Sequence, residues 1–360
     1  MNRDDLIFGC GPIGSYAADG DAATGRAALE AALAAGIRRF DVAPSYGDGR
    51  AEALLGEALA DWRARWAQAP DGRERTQPER SADFDPTSAG LESTGRRPDG
   101  RFGPPARGRA PDEIAVATKV GRIAMANDNP YARPLGREAP GGGGSFDFGA
   151  VGVRRALEAG LERLRLDRVE VAFVHDPDVA PDQALDEAIP ALAQARAEGL
   201  IGSVGVATTN PAIALPFVES GTVDHVMIAA AWTLTRRDAA ELLDRCAERG
   251  VVVHAAGPFD SGLLATPRPD PAAPSGYRVA PPEHLETAIA LADLCERHGV
   301  TLPRAAIQFP LHHPAVDAVV VGMRSSAEVA ADVALLEAPI PEALWEEIDA
   351  PAAVRGPRPT

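Results

Sequence analysis

One stretch of the chain runs Arg39-Phe40-Asp41-Val42-Ala43-Pro44-Ser45-Tyr46-Gly47-Asp48-Gly49-Arg50-Ala51-Glu52. A short apolar run ends in an acid, a proline breaks the chain, and a tyrosine follows five residues after the acid. Of the 36 Lys plus Arg residues a single one, Lys119, is lysine. Where arginine serves as the general cation, one surviving lysine invites a chemical reason: its ammonium is compact and responds to burial. A histidine, His175, closes another apolar run, Val169 to Val174. Acid, phenol, ammonium and imidazole together make a proton-transfer set for alcohol and carbonyl chemistry. Reduction of a carbonyl needs a proton donor at oxygen while hydride reaches carbon, and oxidation needs the reverse. Free tyrosine, with a pKa of about 10, is a poor acid or base near neutrality. A neighbouring ammonium would stabilise its anion, an acid would hold that ammonium against burial, and an imidazole would orient the substrate oxygen. Singly, each residue also has a structural reading, as a loop cap, a half-buried turn tyrosine or a turn histidine.

Such a set needs elements that bring distant residues together. Apolar runs predict strands at 6–9, 37–42, 113–119, 169–175, 201–206, 224–230, 251–256 and 316–321. Helical spacing predicts helices at 21–35, 50–65, 148–165, 181–199 (kinked at Pro190), 210–220, 235–249, 282–298, 325–336 and 341–349. Gly36 and Gly250 are the stops of two of them. Eight strands, most followed by a helix, imply parallel pairing and an α/β fold, a (β/α)8 TIM barrel, spanning 1–360 as one domain. The site of such a barrel lies at the C-terminal strand ends. Asp41 ends the second strand, Lys119 the third and His175 the fourth.

Two segments break the pattern. Residues 68–110 show no hydrophobic period and are rich in Arg, Gly, Pro, Ser and Asp, so a disordered insertion is expected there. Four glycines at 141–144 suggest a mobile connector. Residues 121–147 and 267–281 are expected as long irregular loops near the substrate.

A rival reading rests on Gly9-Cys10-Gly11-Pro12-Ile13-Gly14, which matches a dinucleotide-binding fingerprint after a strand. Pro12 removes an amide from the loop that would cradle a pyrophosphate. No helix is expected to open inside the motif, because the polar stretch 15–20 follows it. The even alternation then runs on without a second domain.

Bulk properties narrow the partners. A net charge of −16 disfavours nucleic acid and anionic membrane. No apolar run is long enough for a membrane span, and no apolar leader opens the chain. Three scattered cysteines, Cys10, Cys246 and Cys295, suggest reduced thiols and a cytoplasmic location. His312-His313 lacks spaced metal-ligating partners and is read as structural, with no metal expected.

The chain resembles the aldo/keto reductase family. The resemblance rests on residues 36–47, on Ala117-Thr118-Lys119-Val120-Gly121, on Val174-His175-Asp176-Pro177-Asp178, and on the segments 257–264 and 306–316, which occur in family order. It covers nearly everything except the insertion. It implies a TIM barrel that uses NAD(P)H with an Asp-Tyr-Lys-His tetrad, falling here on Asp41, Tyr46, Lys119 and His175. Within the family the segments are most similar to the branch of D-threo-aldose 1-dehydrogenases, L-fucose dehydrogenases and pyridoxal 4-dehydrogenases. The implied activity is oxidation of an aldose at its anomeric hydroxyl to a lactone, or of a related alcohol. A pyridoxal 4-dehydrogenase-type activity and, from another class, a non-catalytic nicotinamide-binding subunit or sensor are the alternatives.

The resemblance also implies cofactor contacts. Thr208 and Thr209 fall where the family binds the carboxamide, although its usual Ser-Asn pair is absent. Pro258, Phe259, Ser261 and Gly262 follow the seventh strand. Gly322, Arg324, Ser325, Glu328 and Asp332 fall where the family grips the adenosine end. Two acids, Glu328 and Asp332, would repel a 2′-phosphate while Arg324 would attract one, and NAD is favoured over NADP. Ala256 stands where many members stack a tyrosine on nicotinamide, leaving Trp232 or Phe259 to supply an apolar wall, although Trp232 reads equally well as core.

Overall fold

In Val169–His175, residues Val171 and Phe173 face one way and Ala172 and Val174 the other, with both sets buried. Val171 and Phe173 pack with Ile7, Ala117, Ala207, Met227, Ala318 and Val320, whereas Ala172 and Val174 join the larger core under the helices. A strand buried on both faces belongs to a parallel sheet covered by helices. The structure, a computed structural model, describes residues 1–18, 22–68, 113–123, 145–275 and 278–349. Eight parallel strands close into a barrel: β1 (Leu6–Gly9), β2 (Arg39–Asp41), β3 (Ala115–Val120), β4 (Val169–His175), β5 (Ile201–Thr208), β6 (His225–Ala229), β7 (Val252–Ala256) and β8 (Val316–Gly322). Each pairs with its neighbours in chain order, and β8 returns to β1 with Leu6 opposite Val319. The inner side chains form the small apolar layer around Phe173, and the outer ones the main core.

The predicted (β/α)8 barrel is therefore present, with local differences. The helix Gly11–Ala18 does open inside the glycine motif, contrary to the sequence expectation. The dinucleotide-binding alternative fails on a different ground, since the strands close into a ring rather than an open sheet. Gly14 is needed for close packing: a Cβ there would lie 2.6 Å from the Tyr46 carbonyl oxygen, and one on Gly47 would lie 2.1 Å from the Gly14 oxygen. The motif that looked like a phosphate loop is a seat for the loop that carries Tyr46.

Elsewhere the helix after β2 runs Arg50–Gln68, so Gln68 closes a helix, and the rest of the expected insertion lies outside the described residues, as do 141–144. The helix expected over 181–199 has no sharp break at Pro190. It carries a π-helical turn, Ala184–Ala188, in which the Ile189 amide donates to Ala184. One widened turn ahead of the proline absorbs its missing N–H. The helix expected from 235 begins at Ala240. A further helix, Leu302–Gln308, was not foreseen, and its first turn holds Pro303. Two short antiparallel pairs, Arg122–Ile123 with Ser145–Phe146 and Pro274–Ser275 with Arg278–Val279, tie down loops expected to be irregular. Among the described residues no helix is long and apolar enough to cross a membrane, and the three cysteines are free and buried.

Candidate active site

Asp41 is the last residue of β2 and Lys119 the fifth of six in β3. With period two, Asp41 and Lys119 point into the barrel while Phe40 and Thr118 point out. Lys119 is 1 % exposed, so its ammonium must be satisfied by protein. It donates to both Asp41 oxygens at 2.7 Å, to the Val42 carbonyl at 3.2 Å and to the Tyr46 hydroxyl at 3.0 Å. Burial pushes the Asp41 carboxyl up from its ordinary value, and Lys119 opposes that by charge and hydrogen bond. An ammonium in contact with a phenol favours the phenolate. The Lys119 Nζ also lies 4.7 Å from the Tyr46 ring centre.

Tyr46 is half-buried, and its ring stands edge-on to His175 with centroids 6.1 Å apart and planes at 88°. His175 ends β4. Burial first, then the Lys119 and Arg122 charges, hold its imidazole well below the ordinary pKa, so it is neutral near pH 7. Its Nδ1 has no hydrogen-bond partner among the described residues. All four predicted catalytic residues thus meet at one mouth: Lys119 joins Asp41 to the Tyr46 hydroxyl, and the neutral His175 ring stands edge-on to Tyr46.

Support for this cluster lies behind β3. The Thr118 hydroxyl donates to Glu52 at 3.0 Å, and the Arg163 Nε donates to the same carboxylate at 2.7 Å. Glu52 is fully buried, and burial raises its pKa while Arg163 pulls it back. Helix Arg50–Gln68 is thereby tied to the strand that carries Lys119. Sequence reasoning gave Glu52 no role, nor Arg122 and Asp176, which pair at 2.8 Å beside His175. A signal was present for these last two, since each lies within three residues of a strand-end candidate.

The candidate cofactor residues surround the same end of the barrel. Thr208 ends β5 rather than following it; its hydroxyl donates to Asp178 at 2.9 Å and accepts from the Asn210 amide at 3.0 Å. Thr209 is the next residue and half-buried. Pro258 is buried, Phe259 packs on the core, and Ser261 and Gly262 have φ of 61° and 109°. The buried Asp260 carboxylate accepts from Thr235 at 2.9 Å and Ser275 at 2.6 Å, which fixes this turn. Gly322 ends β8, and Ser325 caps the helix Ser326–Glu337 by accepting the Glu328 amide. Arg324 is held by Glu328, donating through Nε at 2.6 Å. Asp332 is buried on that helix, its pKa pushed up to about 7 by burial and then by Glu328. Trp232 packs on Phe309, His313 and Arg237, which makes it core rather than an open wall. His312 packs against Trp345 with ring centroids 4.1 Å apart and planes tilted by 47°, and His313 lies 3.3 Å from Asp244.

The model of the aldo/keto reductase family matches residues 5–72 and 102–353. The chain is 32% identical to a D-threo-aldose 1-dehydrogenase of Pseudomonas sp, over 89% of this chain and 86% of that one. It is 30% identical to a pyridoxal 4-dehydrogenase of Microbacterium luteolum, over 94% and 91%. Among solved structures, a glycerol dehydrogenase from Gluconobacter oxydans superposes with a TM-score of 0.68 at 21% identity, covering 99% of this chain and 93% of that one. An aldo-keto reductase from Bacillus halodurans, in a holo form, gives 0.65 at 23%, covering 96% and 90%. The chain belongs to the aldo/keto reductase family and is an NAD(P)-dependent oxidoreductase.

Proposed function

We propose that the protein oxidises the anomeric hydroxyl of an aldose to a lactone, with NAD as the favoured acceptor. The observation that carries this reading is the single lysine, which joins Asp41 and Tyr46 within 3.0 Å beside a neutral His175. The likeness to a D-threo-aldose 1-dehydrogenase over most of both chains supports the substrate class.

In this reading Tyr46 is the proton carrier. In oxidation its phenolate takes the proton of the substrate hydroxyl. Lys119 stabilises that phenolate by placing a positive charge beside its oxygen. Asp41 holds and aims Lys119 through both of its oxygens. Neutral His175 hydrogen-bonds the same substrate oxygen and fixes its orientation. A bound nicotinamide would supply the hydride acceptor. The residues present fit such a group: the loop at Ser261 and Gly262 is left-handed, a Cβ on Gly262 would meet nothing within 4 Å, and the capped helix N-terminus at Ser325 suits a phosphate. Thr208, Thr209, Pro258, Phe259 and Gly322 complete the candidate binding surface.

The preference for NAD rests on Glu328. A 2′-phosphate would meet its carboxylate, and Arg324 is already paired with that carboxylate. Asp332, with its pKa pushed up to about 7, adds less repulsion than its formal charge suggests. The test is a panel of aldoses, pyridoxal and simple alcohols with NAD and with NADP, following absorbance of the reduced nicotinamide. Turnover of L-fucose or D-threo-aldoses with NAD is expected. Turnover of pyridoxal alone would move the protein to the second reading, which its 30% identity to a pyridoxal 4-dehydrogenase favours.

A further inference from the structure

Two charged side chains stand at the barrel mouth outside the four-residue cluster. Arg122 lies three residues beyond Lys119, and Asp176 follows His175 directly. Arg122 Nη1 donates to Asp176 Oδ2 at 2.8 Å, and that oxygen is 3.6 Å from His175 Nε2. This is not an open surface pair, since the two side chains are only 16% and 25% exposed. Asp176 holds a left-handed backbone, φ 50°, which aspartate tolerates better than most residues. The chain thus accepts local strain at the residue that sets this carboxylate beside the imidazole. Arg122 Nε is buried and has no hydrogen-bond partner among the described residues. A guanidinium carries five donors in a fixed fork, and leaving a buried donor unused is unfavourable. An unused donor next to a reaction centre offers a place for a ligand's hydrogen-bond acceptor.

Carboxylate and guanidinium locked into one unit offer an acceptor and a donor side by side. A hydroxyl satisfies both at once, because it donates one hydrogen and accepts on its lone pairs. A methyl group or an aromatic edge satisfies neither. We infer that Arg122 and Asp176 hold a hydroxyl on the carbon next to the reacting one, so that the substrate class is α-hydroxylated: cyclic aldoses and 2-hydroxy aldehydes. The inference rests on the reading that places the reacting oxygen between Tyr46 and His175. It makes the pair a specificity device, separate from the proton chemistry of Tyr46 and Lys119.

The test compares glyceraldehyde with propionaldehyde, the same carbon chain without hydroxyls, as kcat/KM for reduction by the reduced cofactor. A site built to hydrogen-bond a hydroxyl rejects the analogue that lacks it, so the natural chain should prefer glyceraldehyde by about 100-fold or more. Asp176→Asn and Arg122→Met should bring that ratio to within about threefold, with Arg122→Lys in between because an ammonium lacks the fork. Both rates are read on the same preparation, so any inactive fraction cancels in the ratio. A natural-chain ratio below about threefold overturns the inference whatever the variants do, and an unchanged ratio in both variants overturns it as well. A 2-deoxy aldose against its parent sugar gives the same ratio in the oxidative direction. If neither aldehyde is turned over, the assignment of the reacting oxygen falls, and this inference falls with it. If glyceraldehyde is turned over without preference, only the hydroxyl-reading pair is lost.

Discussion

Two buried ionic clusters occupy opposite ends of one barrel, and they use the same kinds of group. At the mouth stand Asp41, Lys119 and His175. At the floor stand Asp317, Arg39, His254 and His225, near the strand starts. The floor cation spreads its contacts. Arg39 Nη1 donates to the Asp4 carbonyl at 3.0 Å, and Nη2 lies 3.1 Å from His254 Nε2 and 2.7 Å from Asp317. One guanidinium therefore ties the N-terminal segment to β2, β7 and β8. The contact with Asp317 Oδ2 is one of charge, without the alignment of a hydrogen bond, and a register shift in β8 lies at that residue. His254 and His225 pack edge-on to Phe173 and to each other. The mouth cation does the reverse. It concentrates its donors on Asp41, one carbonyl and one phenol. A fork staples strands, while a point charge activates a single oxygen. The comparison gives a physical reason why the chain can use arginine everywhere except at residue 119.

The contrast breaks most sharply at Tyr46. Tyr46→Phe should lower kcat by about 10³-fold, within the range expected for a lost proton carrier, while cofactor binding followed by fluorescence titration and the denaturation midpoint stay near those of the natural chain. Substantial residual turnover would remove Tyr46 from that role. At the other end Arg39→Met should cost about 3 kcal/mol of stability in urea titrations, because Asp317 and His254 lose their buried partner. The kcat per folded molecule should change by less than about twofold. A large drop in kcat would mean that floor and mouth are coupled.

Acid separates the two ends further. Burial first, then Arg39, pushes the His225 pKa down to about 3, and His254 is depressed in the same direction. Unfolded histidine takes a proton near about 6.5. The unfolded state therefore binds the extra proton, and the stability is fully present above that value and lost as pH falls toward the folded one. Between pH 7 and 5 this amounts to about 2 kcal/mol for His225. His225→Phe should flatten the pH dependence of the urea midpoint by that amount. An unchanged slope would show that the floor histidine is not buried neutral. The smallest effect is expected at Gly14→Ala, where the added Cβ pushes on the Tyr46 carbonyl. A loss of about tenfold in kcat/KM with a stability cost of about 1 kcal/mol is expected. A normal rate would mean that the Tyr46 loop adapts without moving its hydroxyl.

What was legible in the sequence follows the same division. Asp41, Lys119 and His175 could be found because each closes an apolar run, and a barrel gathers strand ends at one mouth. The floor could not be found this way. Arg39 was visible only as a residue within the expected strand 37–42, and its meeting with His254 and Asp317 depends on closure and on the shift in β8. Gly14 was legible only as part of a fingerprint that was set aside, and its packing role was missed because its neighbour in space, Gly47, lies on the loop after β2. The π-helical turn before Pro190 and the proline-bearing helix Leu302–Gln308 were missed or displaced because proline marks a break in hydrogen bonding, not the side on which the chain absorbs it.

The lone lysine also makes the protein its own spectroscopic sample. Lysine labelled with carbon-13 at the ε-carbon and supplied during expression would enter one position in the whole sequence, 1 % exposed and in contact with Asp41 and Tyr46. A single resonance, with no assignment to make, would then report the charge on both neighbours as pH is varied or as nicotinamide is added.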